Sequence, residues 1–250
     1  MQTDIDSLER ATLDAVAPLH TEEFPGWLLP FDPSHIGRAT SAVPLDHHGL
    51  DSGDIAAIAA RYAAHGLPAK FRVADVPSLA HLHAALGERG FAAKKPTLTQ
   101  VNTVTEVLRH CTGTPATITS QPTPEWRAVY TAEGFDPVDG AERVQALSRS
   151  GTVVYASISD ASGPLAAGTA SFSQGWASFH GLRTVPQARG RGLARRILAG
   201  LAEAARAQGL QQAFLQVEED NAGAVALYQF LGFRTAWRYL YWEKSNKASA

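Results

Sequence analysis

The segment RTVPQARGRGLARRIL, residues 183–198, limits what this chain can fold into more than any other stretch of its sequence. An apolar run that ends at Thr184 is typical of a strand, and from Leu193 onward apolar residues recur at four-residue spacing, as on one face of a helix. The short connection contains Gly190 and Gly192, which have no Cβ and therefore let backbone N–H groups approach a ligand closely. The segment predicts a strand, a glycine loop and a helix in direct succession.

This glycine loop is also rich in positive charge. Four arginines lie in the loop and in the first turn of the predicted helix: Arg189, Arg191, Arg195 and Arg196. The first N–H groups of a helix have no partners within the helix and lie at the positive end of its dipole, so they bind anions, and guanidinium groups add charge that a phosphate accepts. We therefore expect a pyrophosphate site here. The alternative is a tight turn followed by a basic helix face in solvent.

Strand and helix patterns alternate on both sides of the loop. Predicted helices cover residues 124–133, 137–150, 193–208 and 221–232. Predicted strands cover residues 116–120, 152–159, 165–173, 176–184, 213–217 and 235–243. This order predicts an α/β (α+β) layer with mixed strand directions.

The first half of the chain has a weaker pattern. Predicted helices cover residues 52–65 and 78–88, and predicted strands cover residues 70–73 and 97–105. A stretch rich in Thr and Pro, TGTPATITSQPTP, separates them from the second half. We therefore expect two domains, residues 1–115 and residues 116–250.

Composition indicates where the protein works. The start, MQTDIDSLER, carries acid where a signal peptide needs base, and no apolar run is long enough for a membrane span. The single cysteine, Cys111, excludes an internal disulfide and suits a reducing compartment. His81 and His83 diverge by about 200° on a helix, so they cannot easily chelate one metal ion. We expect a cytoplasmic protein that needs no metal and, with a net charge of −2, does not bind nucleic acid or membranes.

Two segments of the second half resemble one known superfamily. The segment PQARGRGLARRIL resembles motif A of the GNAT superfamily of acyl-CoA-dependent N-acetyltransferases, with Gln187, Gly190 and Gly192 in the order Q/R-x-x-G-x-G/A. The segment LQVEEDNAGAVALYQFLGF resembles the motif that follows in the same superfamily. The resemblance covers residues 182–233 and implies the GNAT fold, a mixed sheet flanked by helices.

The GNAT resemblance also implies roles for the two domains. Residues 116–250 would be the catalytic N-acetyltransferase domain. Residues 1–115 would be a degenerate GNAT-like domain, so that the chain would have two lobes, as in tandem members of the superfamily. The implied reaction moves an acetyl group from acetyl-CoA, a cosubstrate, to a primary amine by direct attack in a ternary complex.

Residues that would bind acetyl-CoA follow from the same resemblance. The pantetheine arm would run beside the fourth strand of the catalytic domain, along Leu182, Arg183 and Thr184. The pyrophosphate would lie beside Arg189, on the backbone amides of Gly190, Arg191, Gly192, Leu193, Ala194 and Arg195. Asn221 matches the Asn that contacts the coenzyme in the superfamily, and Tyr228 matches its catalytic Tyr.

The spacing of Asn221 and Tyr228 is consistent with a shared site. Seven residues at about 100° each come within about 20° of two full helical turns, so the two side chains lie on one helix face. We expect Tyr228 to contact the coenzyme and to protonate the departing thiolate. The alternative is a core tyrosine that packs beside Val225 and Leu231.

The general base is less well defined. Some protein-acetylating relatives have a glutamate five residues before the Asn, where this chain has Gln216, which cannot accept a proton at neutral pH. Glu218 lies on the same side of the strand by alternation, and His180 lies two residues before the pantetheine segment. Either could act as the base. The alternatives are a solvated glutamate and a packed histidine.

Two other functions fit parts of the sequence. A dinucleotide-binding fold needs G-x-G-x-x-G, but Arg195 stands at the third glycine position, where a large side chain prevents close packing of strand and helix. A non-catalytic acyl-CoA sensor or scaffold is compatible with Gln216. The acceptor amine, whether a small molecule or a peptide, is not specified, and the protein is expected to be a monomer or a homodimer.

Overall fold

The computed structural model describes residues 4–244, which leaves the extreme ends of the two predicted domains outside the described residues. In this range the helices are α1 (Ile5–Val16), α2 (Gly37–Thr40), α3 (Asp54–Ala64), α4 (Ala80–Glu88), α5 (Val104–His110), α6 (Pro124–Tyr130), α7 (Pro137–Leu147), α8 (Leu193–Ala207) and α9 (Ala222–Phe230). The strands are β1 (His20–Phe24), β2 (Trp27–Phe31), β3 (Val43–Pro44), β4 (Lys70–Ala74), β5 (Phe91–Thr103), β6 (Thr117–Thr119), β7 (Val153–Asp160), β8 (Gly163–Ser173), β9 (Trp176–Thr184), β10 (Gln212–Glu218) and β11 (Arg234–Lys244). Short 3₁₀ helices cover Pro77–Leu79 and Pro186–Ala188.

Side-chain caps determine where several helices begin. A side-chain oxygen of the N-cap residue accepts a hydrogen bond from a backbone N–H of the first turn in α1, α5, α6, α7 and α9, at Asp4, Thr103, Thr123, Asp136 and Asn221 respectively. The Thr103 cap explains a difference from prediction. The predicted strand 97–105 ends at Thr103 in the structure, because the chain turns there into α5.

Eight strands form one mixed sheet in the order β4-β11-β5-β10-β9-β8-β7-β6. Strands β9 and β10 are parallel, and every other neighbouring pair in this sheet is antiparallel. The α/β mixed sheet flanked by helices, which the GNAT resemblance implies, is therefore confirmed.

Both halves of the chain contribute to this sheet. Strand β5, from the first half, lies between β10 and β11, and β4, also from the first half, pairs with the outer edge of β11. Without β5, the strands β10 and β11 would have no hydrogen-bonded connection. Because the two halves share one sheet, the sheet itself marks no boundary at residue 115. The division there stays a prediction.

Helices cover both faces of the sheet. Neighbouring residues on β10 mark the two faces, because Leu215 belongs to the core around α5, α6, α8 and α9, whereas Phe214 belongs to the core around α1, α3 and α4. A small sheet, β1-β2-β3, lies beside the second core and connects to β4 through a bridge between Ala42 and Phe71. None of the helices in residues 4–244 combines the length and apolar character needed to cross a membrane.

Candidate functional site

The large sheet splits between β9 and β10. The two strands pair only from Trp176 to Phe179 and from Gln212 to Leu215. Beyond these residues β9 continues in register with β8 alone, and β10 continues with β5 alone. Backbone polar groups on the facing edges therefore lack a neighbouring strand, and such groups are ready to pair with an extended ligand.

A β-bulge accompanies the split. The register between β8 and β9 shifts between Ala167 and Thr169, where Gly168 faces the region of Gly181. Gly181 has φ 61°, in the left-handed region, and a Cβ there would lie 2.8 Å from the Tyr130 hydroxyl oxygen. Any residue larger than glycine would therefore be strained and would displace Tyr130.

Two aromatic residues of α6 hold this bulge. The Tyr130 hydroxyl donates a hydrogen bond to the Gly181 carbonyl at 2.6 Å, and Trp126 Nε1 donates to the Gly168 carbonyl at 3.0 Å. Trp126 and Tyr130 lie four residues apart, on one face of α6, and both are fully buried. The sequence analysis missed this arrangement, although glycines inside two strand-like segments are a signal of a bulge.

The glycine loop follows β9 and leads into α8 as predicted. Gly190 and Gly192 have φ values of 77° and 73°, and a Cβ on Gly190 would meet only open space. Within residues 4–244, none of the backbone N–H groups of residues 190–195 donates a hydrogen bond to a protein acceptor. The loop and the first turn of α8 therefore present a row of N–H groups at the positive end of a 15-residue helix, an arrangement that favours anions.

The arginines around this loop differ in their partners. The Arg196 Nε atom donates to the Thr114 carbonyl at 2.6 Å, and Arg191 lies 3.4 Å from the Asp160 carboxylate. Arg189 is exposed and forms no ion pair with any described residue. Arg189 is therefore the arginine of the loop that remains most available to an incoming anion.

Arg183 is held by the protein itself. Its guanidinium donates to the Tyr130 carbonyl at 3.0 Å and to the Asp139 carboxylate at 2.9 Å, and it lies over the Phe135 ring. Its side chain therefore fixes α6 and α7 to β9, and only its backbone faces a ligand beside the strand.

A cavity of about 830 Å³ extends from the glycine loop to the split in the sheet. Every residue predicted to bind acetyl-CoA lines this cavity except Arg191, whose side chain lies outside it. A volume of this size suits an extended ligand. The role of each residue stays a prediction.

Tyr228 and Asn221 lie where this cavity meets a second one. Asn221 Oδ1 accepts from the Ala224 N–H at 3.2 Å, which leaves the Asn221 amide nitrogen as a donor. Tyr228 is 8% exposed, and its hydroxyl has no hydrogen-bond partner in the described range. Burial raises the pKa of Tyr228 to about 12. The Tyr228 hydroxyl is therefore a protonated donor that is free to bind a ligand.

The second cavity, of about 410 Å³, lies on the other side of the split. It shares six lining residues with the first: Arg143, Gly181, Leu182, Asn221, Ala224 and Tyr228. A ligand that passes through the split can therefore bring a reactive group from the first cavity to a second molecule bound on the other side.

The two candidates for the base, His180 and Glu218, line this second cavity together with Gln216. His180 is 4% exposed, packs edge-on against Phe214, and has no hydrogen-bond partner for either ring nitrogen in the described residues. Burial, and to a smaller extent the positive charge of Arg38, hold the pKa of His180 well below its usual range. Glu218 is exposed at the end of β10, whereas Gln216 accepts a hydrogen bond from Arg38 at 3.2 Å.

The two histidines that were considered as metal ligands have separate hydrogen-bond partners. The His81 and His83 rings contact the carbonyls of Leu50 and Ala74 rather than a common point. A cluster that sequence spacing did not indicate lies elsewhere, where His20, Glu22 and His65 bring ligand atoms within 4.8 Å of one another. This cluster lines neither of the two cavities.

Comparison with known proteins gives one family and many similar folds. Residues 2–242 match the family described as "Probable histone acetyltransferase Rv0428c C-terminal". A search of curated proteins gives no match.

Solved structures resemble almost the whole chain. A GCN5-related N-acetyltransferase from Kribbella flavida is 17% identical with a TM-score of 0.70, covering 98% of this chain and 97% of that one. A functionally unknown conserved protein from Staphylococcus epidermidis is 12% identical with a TM-score of 0.67, covering 89% and 92%. A tandem GNAT protein from the clavulanic acid biosynthesis pathway is 14% identical with a TM-score of 0.59, covering 95% and 94%. At these identities the likeness shows the fold.

Proposed function

Because the chain belongs to the family described as "Probable histone acetyltransferase Rv0428c C-terminal", and its fold is that of GCN5-related N-acetyltransferases, we propose that it transfers an acetyl group from acetyl-CoA to a primary amine by direct attack in a ternary complex. The observation that carries this proposal is the meeting of two cavities at a split in the sheet, with the Tyr228 hydroxyl at their junction. One cavity would hold the coenzyme, and the other would hold the acceptor.

The glycine loop is the proposed pyrophosphate site. The N–H groups of residues 190–195 lack protein acceptors in the described part of the chain, and Gly190 leaves open space above its backbone. The pantetheine arm would run along Leu182, Arg183 and Thr184, on the strand edge that loses its partner at the split. This path directs the thioester from the anion site toward Tyr228.

Backbone and side-chain donors would then assist the reaction. The amine attacks the thioester carbon, and N–H groups on the edge of β9 stabilise the oxyanion that forms. Tyr228 donates its proton to the departing sulfur, a base takes the proton that the attacking amine gives up, and proton exchange with solvent restores both groups. The net proton transfer therefore runs from the amine to the thiol, with Tyr228 protonated before and after the reaction.

The proton of the amine needs an acceptor, and His180 and Glu218 are the two candidates. Burial lowers the pKa of His180, so its imidazole is neutral at pH 7 but weakly basic, and its ring nitrogens lack protein partners among residues 4–244. Glu218 is exposed at the rim of the same cavity, where a water molecule could connect it to the amine. Comparing His180→Ala with Glu218→Gln in the same assay would separate the two.

The second candidate function is a non-catalytic acyl-CoA-binding module, which the glutamine at position 216 favours. Thiol release from acetyl-CoA, measured with a panel of small amines and lysine peptides, distinguishes the two functions. Release that depends on the amine supports the transferase. Binding of acetyl-CoA in calorimetry with no release from any amine supports the module.

The setting of the reaction is also part of the proposal. We place it in the cytoplasm, where acetyl-CoA is available and the single Cys111 stays reduced. We expect a monomer or a homodimer, which sedimentation velocity would determine.

A further inference from the structure

Arg38, from the short helix α2, lines the wall of the second cavity. Its Nη1 atom donates to the Gln216 side-chain oxygen at 3.2 Å. Its Nε atom is buried and has no hydrogen-bond partner, and no carboxylate within residues 4–244 lies within ion-pair distance of the guanidinium. Arg38 is therefore a partly buried cation held in place by a neutral amide.

Glu9 is a buried carboxylate on which the charge of Arg38 acts, but it already pairs with another arginine. Glu9, on α1, lies 2.6 Å from the guanidinium of Arg72, and both residues are almost completely buried. These two charges compensate each other, so the positive charge of Arg38 remains in excess. Burying a charge without a counter-charge is unfavourable, and a negatively charged ligand would remove that cost.

Most other charged groups of this cavity are also paired. Asp139 pairs with Arg143 at 2.8 Å, Glu243 pairs with Lys70 at 3.5 Å, and Glu142 lies 3.5 Å from His35. Lys95 and Glu218 form no ion pair in the described part of the chain, but both are exposed at the rim. Arg38 and His180, in contrast, line this cavity and have buried nitrogens without hydrogen-bond partners in the described residues.

We propose that Arg38 binds a carboxylate on the acceptor, so that the acceptor is a small amine that also carries a carboxylate, such as a free amino acid. This inference rests on the proposed function and specifies its substrate class. A guanidinium binds a carboxylate through parallel hydrogen bonds, and among the described residues the Arg38 guanidinium has a single hydrogen bond, from Nη1 to Gln216. The amine of the same molecule would then face His180 and Tyr228, which line the same cavity, and 410 Å³ suits a small molecule.

Matched acceptors test this directly. The pairs are β-alanine with β-alaninamide, and L-lysine with cadaverine, so that the members of each pair differ mainly in the carboxylate. With wild type we expect kcat/KM to be about 10- to 100-fold higher for the carboxylate member. The Arg38→Gln variant should lose this preference while its acetyl-CoA affinity stays unchanged, and Arg38→Lys should regain part of it.

Arg206→Gln is the matched control, since Arg206 is exposed near the far end of α8 and lines neither cavity. It should keep the wild-type preference. Equal use of both members of each pair by wild type would overturn the inference. So would a blocked lysine peptide used more efficiently than every carboxylate amine.

A binding measurement keeps the inference separate from turnover. Calorimetry with N-acetyl-β-alanine and its amide reports on Arg38 even where no transfer is detected. We expect wild type to bind the carboxylate form at least about 10-fold more tightly, and Arg38→Gln to bind the two forms equally. No difference in wild type would overturn the inference. Absence of thiol release from every amine contradicts only the proposed transferase function.

Discussion

At the residue scale, Tyr228 and its free hydroxyl are the main feature of the junction between the two cavities. Tyr228 packs edge-on against Phe233, so its ring is part of the core, but its hydroxyl has no protein partner in residues 4–244. The hydroxyl oxygen is not among the buried unpartnered atoms of the described residues, so it is open to the cavities that Tyr228 lines, where solvent or a ligand can bind it. The packing of the ring agrees with the expectation of a core tyrosine, and the role of the hydroxyl as an acid stays a prediction.

We expect Tyr228→Phe to slow turnover by about 10²- to 10⁴-fold with little change in acetyl-CoA affinity. The hydroxyl makes no protein hydrogen bond in the described range, so its removal should leave the free energy of unfolding nearly unchanged. Thiol release gives the rate, calorimetry the affinity, and urea unfolding the stability. Turnover at the wild-type rate would remove Tyr228 from the mechanism.

The raised pKa of Tyr228 predicts the pH dependence. An acid must be protonated to act, and with a pKa of about 12 this group stays protonated through pH 10. We therefore expect kcat at saturating substrates to show no alkaline fall below about pH 10, whereas a tyrosine with the usual pKa of about 10 would already be half ionised there. A fall centred near pH 9, in protein shown to be folded at that pH, would contradict this assignment.

At the element scale, the split in the sheet and the glycine loop act together. Strand β9 changes partner near Gly181, and the same strand leads directly into the loop that begins α8. The bulge orients the strand edge, and the helix N-terminus presents the N–H groups of the proposed anion site. The bulge and the glycine loop are therefore joined directly through β9. The side chain of Tyr130, which belongs to α6, stabilises the bulge.

Gly190→Ala should weaken acetyl-CoA binding by about 10-fold or more, because a Cβ there would occupy the space above the backbone amides. Its matched control is Gly209→Ala, at the other end of α8, which has a similar φ of 76° and equally open surroundings. Both variants should lose about 1 kcal/mol of stability from left-handed strain. Equal coenzyme affinity in the two variants would be inconsistent with a pyrophosphate on this loop.

Tyr130→Phe tests the hydrogen bond that holds the bulge. Removing it leaves the Gly181 carbonyl without its donor, so we expect a loss of about 1–2 kcal/mol in stability and about 10-fold in kcat. Tyr62→Phe is the control, because its buried hydroxyl donates to the Pro30 carbonyl at 2.9 Å, in the core on the other face of the sheet. It should lose similar stability in urea unfolding but keep its rate. A rate loss of the same size in both variants would show that the bulge has no special role.

At the scale of the whole molecule, the two halves of the chain depend on each other. The first half supplies β5, which joins β10 to β11, and Arg38, which reaches Gln216 across 178 positions of sequence. The second half supplies the glycine loop, Tyr228 and His180. We propose that residues 116–250 hold the catalytic machinery and that residues 1–115 complete its sheet and its acceptor cavity.

Expressing the two parts separately tests this dependence. Residues 116–250 alone would leave β10 and β11 without β5, so we expect no cooperative thermal unfolding and no acetyl-CoA binding. Co-expression with residues 1–115 should restore both, and the intact chain serves as the reference. A fragment 116–250 that folds and binds coenzyme by itself would show that the sheet needs no strand from the first half.

The sequence alone determined the features that depend on residues close together in the chain. The glycine loop before α8 and the common helix face of Asn221 and Tyr228 follow from spacing, because backbone geometry fixes the relation of near neighbours. Polarity patterns also located most strands of the second half. Before residue 52, however, the periodicity indicated no element, and the structure has α1 and the small sheet β1-β2-β3 there.

Only the tertiary structure decided which distant segments meet. The insertion of β5 between β10 and β11, the hydrogen bond from Tyr130 to Gly181, and the position of Arg38 beside Gln216 join residues far apart in sequence. A strand pattern shows that a segment can pair but not with which partner, and a charged residue gives no sign of the cavity it will line. These pairings are selected by the packing of the whole chain, and that packing fixes the shape and charge of the acceptor cavity.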